Sequence, residues 1–550
     1  MRQRSISGKN GTSDPSLNFK SGSEIQKQVR SGNGNNHFWT ERNIFIGCLG
    51  FRIINALLVQ TYFNPDEHWQ ALEVAHRIVF GYGHLTWEWE KGIRSYLHPL
   101  IFALLYKILA IFQLDTVWFM IKTPRLLQSL FAAIGDIYLY KLADRCFGKH
   151  VSQWALFCQM TNWFMFFCIT RTLSNSLETV LTIVSLFYWP FYTSLPGEAH
   201  YSPMSRKIAL FVAAICCAIR PTSAVLWFYL GIIHLYKAHD KTKFLFFELI
   251  PIGAIVLVTT CLLDRWMYGT WILVPLNFLK FNFLSAGGDY YGTHPWHWYF
   301  TQGFPAMAFT FLPLSVAGIW LSKEWQLAGL IGWVLGLYSV LGHKEFRFVL
   351  PVLPITMMFS GYSLAELDKH SFPSQQKMGK LNETKKWSWK FYVIFILLIT
   401  NIPTALYMSL VHQRGSEAVM IFLAKEADKG HVQSVTFLMP CHATPYYASV
   451  HKNLTMRFLD CTPSDVGSST EQIMDESDCF IRDPLGFASN MLDSLPLPSH
   501  LVLFDAQEVQ LRDILALHGY IKAQKYFHSH FRVDRELQGY VVVYIQHQTV

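Results

Sequence analysis

The chain has 550 residues, of which 51% are hydrophobic, 16% aromatic and only 15% charged, whereas soluble proteins carry about 25% charged residues. This composition excludes an ordinary soluble protein. Apolar runs of about 17 to 25 residues recur, and each is long enough to cross a bilayer as a helix. The formal net charge of +8 does not indicate nucleic-acid binding, because the basic residues cluster in short loops between the apolar runs. The sequence therefore predicts a polytopic α-helical membrane protein.

Residues 1–42 are rich in Ser, Gly and Asn and carry seven Lys or Arg against three Asp or Glu. Such a segment has too little apolar surface to fold, so we expect a disordered cytosolic tail. It lacks the apolar core and cleavage site of a signal peptide. The first apolar run, from about residue 43 to 63, is then expected to be an uncleaved membrane anchor.

Further apolar runs follow the first one. Together they predict a transmembrane domain over residues 43–411, with about eleven spans in all. The candidate spans after the first are about 98–113, 125–141, 151–170, 176–195, 207–236, 244–264, 305–321, 326–342, 349–366 and 391–411. In the longest of these runs, Arg220 and Pro221 stand near the middle. A proline inside a helix removes a backbone donor, so this span is expected to be broken.

The distribution of lysines predicts which loops share a side of the membrane. Lysine-rich segments at 237–243 and 369–390 are expected to face the cytosol. This places loop 64–97 (hereafter the first loop), loop 265–304 and the whole segment 412–550 on the opposite, lumenal side. The aromatic residues of loop 265–304 suit an interfacial belt or a sugar-binding surface.

The C-terminal segment, residues 412–550, differs in kind from the rest. Short apolar stretches alternate with Pro, Ser and Asp turns, which predicts a small lumenal α/β domain. It contains Cys441, Cys461 and Cys479, so one disulfide and one remaining thiol are expected, and we favour the pair Cys441–Cys461. Asn453 begins an Asn-Leu-Thr glycosylation sequon.

Two adjacent carboxylates, Asp66 and Glu67, stand at the start of the first loop, after an Asn-Pro turn that ends the incoming helix. The residues that follow have helical spacing, and the apolar ones share one face. These are Trp69, Leu72, Ala75 and Val79. The pattern predicts a helix in the headgroup region with this face toward lipid. Asp66 could instead act only as a helix cap.

Three basic side chains and one acid stand together between the predicted spans 326–342 and 349–366. They are His343, Lys344, Glu345 and Arg347, hereafter the basic cluster. Such a group can bind an anionic lipid phosphate, for which arginine offers a planar fork of donors. Arg94 in the first loop is a further candidate for the phosphate. An ion-pair network or a lipid-headgroup anchor would explain the cluster equally well.

Four sequence motifs carry a resemblance to a known family. They read FNPDEHWQALEVAH, TWEWEKGIRSYLHP, RTLSNSLET and GHKEFRFVLPVLP. They resemble the motifs of the multi-spanning GT-C glycosyltransferases that use dolichol-phosphate mannose in the endoplasmic reticulum. Two C-terminal stretches, MPCHATPYY and FLDCTP, resemble the glycosylphosphatidylinositol (GPI) branch that adds a third mannose, rather than the N-glycan branch. The resemblance covers about residues 45 to 545.

The resemblance implies an inverting α1,2-mannosyl transfer from dolichyl phosphate mannose to a mannosylated GPI glycolipid at the lumenal face of the endoplasmic reticulum membrane, with no metal or cofactor. Asp66 is then the expected base, and Glu67 orients it or the acceptor. The groups expected to hold the donor phosphate are Arg94, His343, Lys344 and Arg347, with Glu345 beside them. Stabilising the departing phosphate is what would raise the rate.

Two alternatives remain open. Within the same family, the acceptor could be the lipid-linked N-glycan precursor. Outside the enzymes, a lipid or sugar-lipid transporter could share the multi-span plan, although transporters are typically built from internal repeats with sites at the membrane midplane. We find no internal repeat in the sequence, and the candidate acids lie at the predicted membrane surface.

Overall fold

The computed structural model describes residues 40–191, 203–284, 292–371, 389–462, 475–494, 496–532 and 538–547. The predicted N-terminal tail lies outside these residues up to position 39. The first helix, Glu41–Leu58, begins where the Thr40 side chain accepts a hydrogen bond from the backbone N–H of Asn43. A threonine cap of this kind fixes the start of the helix.

The transmembrane domain is helical. Its longer helices are Glu41–Leu58, Leu97–Ile111, Val117–Phe147, Lys149–Thr161, Ser174–Tyr188, Pro203–Ile219, Ala224–Lys237, Ile250–Tyr268, Leu312–Ser322, Trp325–Val340, Leu353–Ser371 and Trp389–Leu410. Shorter helical segments are His68–Leu72, Glu73–Phe80, Trp87–Glu90, Trp163–Cys168, Pro221–Ser223, Lys243–Leu249, Val274–Leu279, Lys280–Leu284, Tyr299–Gly303, Phe304–Ala308, Phe309–Phe311 and Phe346–Val352.

Within the described ranges, four helical runs are long and apolar enough to cross a membrane by length and composition. They are Lys243–Tyr268, Tyr299–Ser322, Phe346–Lys369 and Trp389–Asp428. Other predicted spans carry charged groups that the structure buries in pairs. In one such pair, Nε of Arg52 on the first helix lies 2.6 Å from Oδ2 of Asp136 on Val117–Phe147. The count of about eleven spans stays a prediction.

The predicted break at Arg220 and Pro221 is present. Pro203–Ile219 ends there, Pro221–Ser223 forms one 3₁₀ turn, and Ala224–Lys237 continues beyond it. At the break, Nε of Arg220 lies 3.0 Å from Oε2 of Glu178. A charge in this position needs such a partner, because burying it alone is costly.

Leu353–Ser371 packs at the centre of the transmembrane domain, between Lys149–Thr161 and Leu312–Ser322. Glycines allow both contacts. A Cβ atom on Gly318 would lie 1.9 Å from the carbonyl oxygen of Phe359, and one on Gly361 would lie 2.4 Å from the backbone nitrogen of Ala155. This close packing holds the segment just before it, which carries the basic cluster.

The described part of the C-terminal domain forms a five-stranded sheet with the order β2-β1-β3-β5-β4. The strands are β1 (Ser434–Leu438), β2 (Thr455–Phe458), β3 (His500–Phe504), β4 (Tyr520–Phe527) and β5 (Tyr540–Gln546). The first three are parallel, and β5 runs antiparallel to β3 and to β4. The accompanying helices are Arg414–Asp428, Tyr447–Val450, Glu476–Arg482, Pro484–Ser494 and Asp505–Leu517. The domain is α/β, as the sequence predicts.

The first loop packs against this domain, and here the prediction of a lipid-facing helix is wrong. Trp69 is 2% exposed and belongs to the hydrophobic core of the C-terminal domain. Leu72 and Ala75 pack with Ala448 of that domain and with residues of Leu97–Ile111. The apolar face is therefore buried inside the protein, because a second domain covers the surface that periodicity alone assigns to lipid.

Candidate active site

Asp66 and Arg347 meet in the structure, although 281 positions separate them in the chain. Nη1 of the Arg347 guanidinium donates to Oδ2 of Asp66. The Arg347 side chain is 8% exposed and the Asp66 side chain 15% exposed, so part of the carboxylate remains accessible. The contact joins the first loop to the basic cluster.

Glu345 holds the other side of the Arg347 guanidinium. Nε and Nη2 of Arg347 donate to its two carboxylate oxygens at 2.7 and 2.6 Å. Nε2 of His343 lies 3.0 Å from Oε1 of Glu345, and Nδ2 of Asn64 donates to Oε2 at 2.9 Å. Burial raises the pKa of Glu345, but Arg347 and His343 outweigh that effect and hold it well below its usual range. Glu345 is thus a partly buried anion that fixes Arg347.

The carboxylate of Glu345 acts on His343 in turn. Burial lowers the pKa of the His343 ring, but the hydrogen bond and the charge of Glu345 outweigh it, and the pKa is raised above its ordinary value. The other ring nitrogen, Nδ1, lies 3.0 Å from the carbonyl oxygen of Gly292. Cationic character at His343 suits a neighbouring anionic ligand.

Backbone contacts fix the segment that carries these charges. The hydroxyl of Tyr299 donates to the carbonyl oxygen of Glu345 at 2.8 Å, and Nδ2 of Asn175 donates to the carbonyl oxygen of Arg347 at 3.1 Å. Asn175 is the second residue of the helix Ser174–Tyr188, within the RTLSNSLET motif. Three distant parts of the chain therefore hold the site together.

Asn64, rather than Asp66, supplies the capping oxygen at this point of the chain. Oδ1 of Asn64 accepts the backbone N–H of Asp66 at 3.0 Å, while the Asp66 carboxylate contacts Arg347. A π-helical turn, His68–Leu72, follows at once. Such turns are rare and occur frequently at functional sites.

Glu67 lies in different surroundings from its neighbour. Its side chain is 0% exposed. Oε1 accepts Nε and Nη2 of Arg125 at 3.0 and 2.8 Å, and Oε2 accepts Nη1 of Arg171 at 2.8 Å. Arg125 also donates to Glu417, the start of the C-terminal domain, at 2.7 Å. Burial raises the pKa of Glu67, but Arg125 and Arg171 outweigh it, and the pKa is lowered. The structure thus places the two predicted catalytic carboxylates in different surroundings.

Lys344 points its ammonium group at backbone carbonyls rather than at the other members of the basic cluster. Nζ donates to the carbonyl oxygen of His294 at 2.8 Å and to that of Leu341. The residue is 3% exposed. A lysine in this position satisfies carbonyls just beyond the end of the helix Trp325–Val340. These contacts differ from the phosphate-binding role that the sequence predicts for Lys344.

Arg94 pairs with a carboxylate other than Asp66. Its Nη2 lies 2.7 Å from Oε1 of Glu88, whose other oxygen accepts Nε2 of Gln70 at 2.8 Å. The structure brings Asp66, His343, Glu345 and Arg347 together. It places Arg94 beside a different small cavity, which Arg220 also lines.

Several residues that hold the site in place are not predicted from the sequence. They are Asn64, Arg125, Arg171, Asn175, Tyr299 and Glu417. One signal was available for the two arginines, since a charged residue within or beside a predicted span requires a buried partner. The partner itself could not be identified, because Glu417 lies 292 positions from Arg125.

Cys441 and Cys461 are joined in a disulfide, and Cys479 is exposed and lies outside it. His442 lies beside the disulfide, so three side chains that could ligate a metal are close together. Sulfur atoms already joined to each other do not offer thiolates to a metal. Asn453 is exposed, two residues before β2 begins.

Two solved structures with a similar fold cover most of the chain. ArnT from Cupriavidus metallidurans bound to undecaprenyl phosphate matches with a TM-score of 0.55 and 10% identity, over 92% of this chain and 98% of that chain. The oligosaccharyltransferase of Archaeoglobus fulgidus in the apo form matches with a TM-score of 0.51 and 9% identity, over 94% and 75%. At such low identity these likenesses show the fold alone, which is of the predicted GT-C type.

Curated relatives match at higher identity over almost the whole chain. Mannosyltransferase APTG1 of Arabidopsis thaliana is 58% identical, over 92% of each chain. GPI alpha-1,2-mannosyltransferase 3 of Mus musculus is 42% identical over 90% of this chain and 87% of its own. GPI mannosyltransferase 3 of Yarrowia lipolytica is 37% identical over 91% and 96%.

The model of one protein family matches residues 43–451, which include the transmembrane domain, the first loop and the basic cluster. These are the parts of the chain in which the site described above lies. Together with the relatives, this match shows that the chain belongs to the Alg9-like mannosyltransferase family.

Proposed function

We propose that the chain transfers a mannosyl group from dolichyl phosphate mannose to the second mannose of the GPI precursor, adding the third mannose in α1,2 linkage. Membership of a mannosyltransferase family supports the reaction class, and relatives named GPI mannosyltransferase 3 support the acceptor. ArnT, which shares the fold, binds undecaprenyl phosphate, which is chemically close to the lipid carrier proposed here. The contact between Asp66 and Arg347 is the observation that carries the mechanism.

The reaction is proposed to be a single displacement with inversion at the sugar carbon. The 2-hydroxyl oxygen of the acceptor mannose bonds to C1 of the donor mannose, and the bond from C1 to the phosphate oxygen breaks. The hydroxyl proton passes to the carboxylate of Asp66, which acts as general base. The electron pair of the broken bond leaves with dolichyl phosphate, which departs as a stable anion.

Arg347 is proposed to serve both halves of this reaction. It positions Asp66 through Nη1, and Glu345 holds the same guanidinium through Nε and Nη2. A donor phosphate that reaches this site would find the guanidinium and the His343 ring beside it. Both favour the negative charge that develops on the leaving group. Glu345 and Asn64 then act as positioning residues.

Glu67 and Lys344 receive structural roles in this proposal. Glu67 is buried between Arg125 and Arg171. It therefore positions the backbone between Asp66 and the helical segment His68–Leu72. Lys344 holds the turn before Glu345 through backbone carbonyls. Arg94 remains a candidate for a more distant part of the lipid-phosphate path, since it shares a small cavity with Arg220.

The site is proposed to face the lumen of the endoplasmic reticulum. The donor and the acceptor are both lipid-linked, so both would reach the site from the membrane. The C-terminal domain would then also be lumenal, because the first loop packs into its core through Trp69. The disulfide Cys441–Cys461 agrees with this side, since disulfides persist in oxidising compartments.

Complementation tests the acceptor. Expression of the chain in cells that lack the third GPI mannosyltransferase is expected to restore GPI-anchored proteins to the cell surface, as measured by flow cytometry. Cells that lack a mannosyltransferase of N-glycan precursor assembly serve as the comparison, and their truncated glycans are expected to persist. Rescue of the second cell line without the first would reject the GPI acceptor.

A further inference from the structure

A cavity of about 450 Å³ lies between the first loop and the C-terminal domain. Residues 84–87 and Glu90 of the first loop form one wall. The other wall comes from His442 and Tyr446 and from residues 456–458 and 460–462. This volume falls within the range of about 300 to 1,000 Å³ that is usual for small-molecule sites.

The lining combines aromatic faces with carboxylates. Trp87, Tyr446 and Phe458 supply rings, and the exposed residues Glu90 and Asp460 supply hydrogen-bond acceptors. Aromatic faces contact the apolar side of a sugar ring, while carboxylates accept hydrogen bonds from its hydroxyl groups. The chemistry of this cavity therefore suits neutral sugar units.

The two histidines of the cavity are neutral at the pH of the cell. Burial lowers the pKa of His442 to about 4, and burial also lowers the pKa of His84. Their rings lie 5.2 and 5.0 Å from the ring of Phe458. The aromatic part of the wall is thus uncharged. Arg457 also lines the cavity, but its Nη2 lies 3.2 Å from Oε1 of Glu476, so its charge is already paired and a neutral ligand fits the lining.

The cavity adjoins the reaction centre. The Tyr62 hydroxyl donates to the carbonyl oxygen of His442, and the Trp69 ring lies 4.4 Å from the His442 ring. Tyr62 and Trp69 flank Asp66 in the chain, and the charge of Asp66 offsets part of the lowering that burial causes in the pKa of His442. His442 thus connects the cavity to the segment that carries the proposed base, although Asp66 is not itself a lining residue.

One wall of the cavity lies beyond the region shared by the whole family. The family match ends at residue 451, whereas residues 456–462 belong to the opposite wall. The mouse relative covers 90% of this chain, so that match extends past residue 451. A wall of this kind can select an acceptor without altering the transfer chemistry.

We propose that this cavity binds sugar units of the acceptor glycolipid that lie next to the mannose receiving the new sugar, and that it thereby selects the acceptor. The proposal rests on the proposed function. It adds to it a site, formed by residues 84–90 and 442–462, that takes no part in the bond-forming and bond-breaking step. Glu90 and Asp460 are expected to accept hydrogen bonds from sugar hydroxyl groups.

Steady-state kinetics of the full-length detergent-solubilised protein tests the cavity. The variants are Glu90→Gln and Asp460→Asn, assayed with dolichyl phosphate mannose and a defined two-mannose GPI acceptor. Each is expected to raise the KM for the acceptor about tenfold, the usual effect of losing one hydrogen bond to a charged group. The kcat and the donor KM are expected to stay unchanged, because the lost contact is equal in the ground and transition states.

The control variant is Asp428→Asn, which removes a carboxylate from the same domain outside the cavity. Asp428 pairs with Lys452 at 3.0 Å on the surface. This variant is expected to leave every kinetic constant unchanged. Thermal unfolding of all three variants is measured alongside, so that a loss of folded protein is recognised.

A shortened acceptor supplies a readout that a structural role would not move. An acceptor truncated beside the reacting mannose is expected to raise the KM of the wild-type protein and to raise that of Glu90→Gln no further, because both changes remove the same contact. Absence of transfer by the wild-type protein would reject the proposed function itself. If the wild type transfers mannose and both cavity variants keep the acceptor KM of the wild type, the proposal that the cavity binds the acceptor is wrong. The proposed function would still stand.

Discussion

Neighbouring residues of this chain differ sharply in their surroundings. Asp66 keeps 15% of its side chain exposed and contacts one arginine, whereas Glu67 is 0% exposed between two. A general base must reach a substrate hydroxyl, and a fully enclosed carboxylate does not. The difference in exposure is the reason to assign base catalysis to Asp66 and a structural role to Glu67.

The variant Glu67→Gln is expected to destabilise the protein by about 3 to 5 kcal/mol, because it leaves Arg125 and Arg171 without the buried negative charge that they share. Thermal unfolding of the detergent-solubilised protein measures this. Lys429→Gln, which removes one end of an exposed pair with Glu426, is the control and is expected to change stability by less than about 1 kcal/mol. A stable Glu67→Gln protein with no transfer activity would point to direct catalysis instead.

Arg347 makes contacts that lysine does not reproduce. Its three donor groups reach two carboxylates, and an ammonium group lacks this planar fork. The variant Arg347→Lys is therefore expected to lower kcat about 100-fold while the protein remains folded, since preorganised charge stabilisation contributes on this scale. Steady-state rates with saturating donor and acceptor measure the change. A kcat within twofold of the wild type would contradict the role given to Arg347.

At the scale of elements, the first loop is the part that joins the two domains. Trp69 enters the core of the C-terminal domain, and its Nε1 donates to the carbonyl oxygen of Thr444 at 2.9 Å. Glu73 is buried at the same boundary, where it accepts the backbone N–H groups of His84 and Ala448 at 3.1 and 2.9 Å. These contacts position the helical segments His68–Leu72 and Glu73–Phe80, which follow Asp66 in the chain.

Glu73 makes this boundary sensitive to pH. Burial raises the pKa of Glu73 from its ordinary 4.5 to about 7, so the folded protein binds a proton there more tightly than the unfolded chain. The stability that Glu73 contributes is complete below about pH 4.5 and is lost as the pH rises toward 7. We expect the unfolding temperature of the wild type to fall over this window more steeply than that of Glu73→Gln. Parallel pH profiles for the two proteins would contradict this.

Sequence patterns located some elements better than others. Apolar runs at 435–439, 501–504 and 540–545 correspond to β1, β3 and β5, which are central strands with both faces covered. The edge strands β2 and β4 went unpredicted, because their exposed faces carry polar residues and break the apolar pattern. Periodicity also identified the buried face of the first loop, but it could not distinguish lipid from a second domain.

The candidate site was predictable to the same extent. Motif resemblance marked Asp66 and the basic cluster, and the structure places Asp66 against Arg347. Local sequence carries no information on which arginine faces which carboxylate across 58 to 292 positions. Arg125, Arg171 and Glu417 therefore emerged only from the fold.

At the scale of the whole molecule, the side of the membrane that holds the C-terminal domain remains the main topological prediction. Asn453 is exposed beside β2, so a lumenal domain would present its sequon to the glycosylation machinery. We expect the wild type to shift in gel mobility after treatment with endoglycosidase H, and Asn453→Gln to migrate at the position of the treated wild type. A wild type that shows no shift in cells would argue against lumenal exposure of this sequon.

The most direct test of the account is transfer in vitro by the wild type and by Asp66→Asn, with dolichyl phosphate mannose and GPI acceptors that carry one, two or three mannoses. The wild type is expected to add one α1,2-linked mannose to the two-mannose acceptor only. Asp66→Asn is expected to have at least about a 100-fold lower kcat at an unchanged unfolding temperature. Near-wild-type transfer by Asp66→Asn would contradict the account.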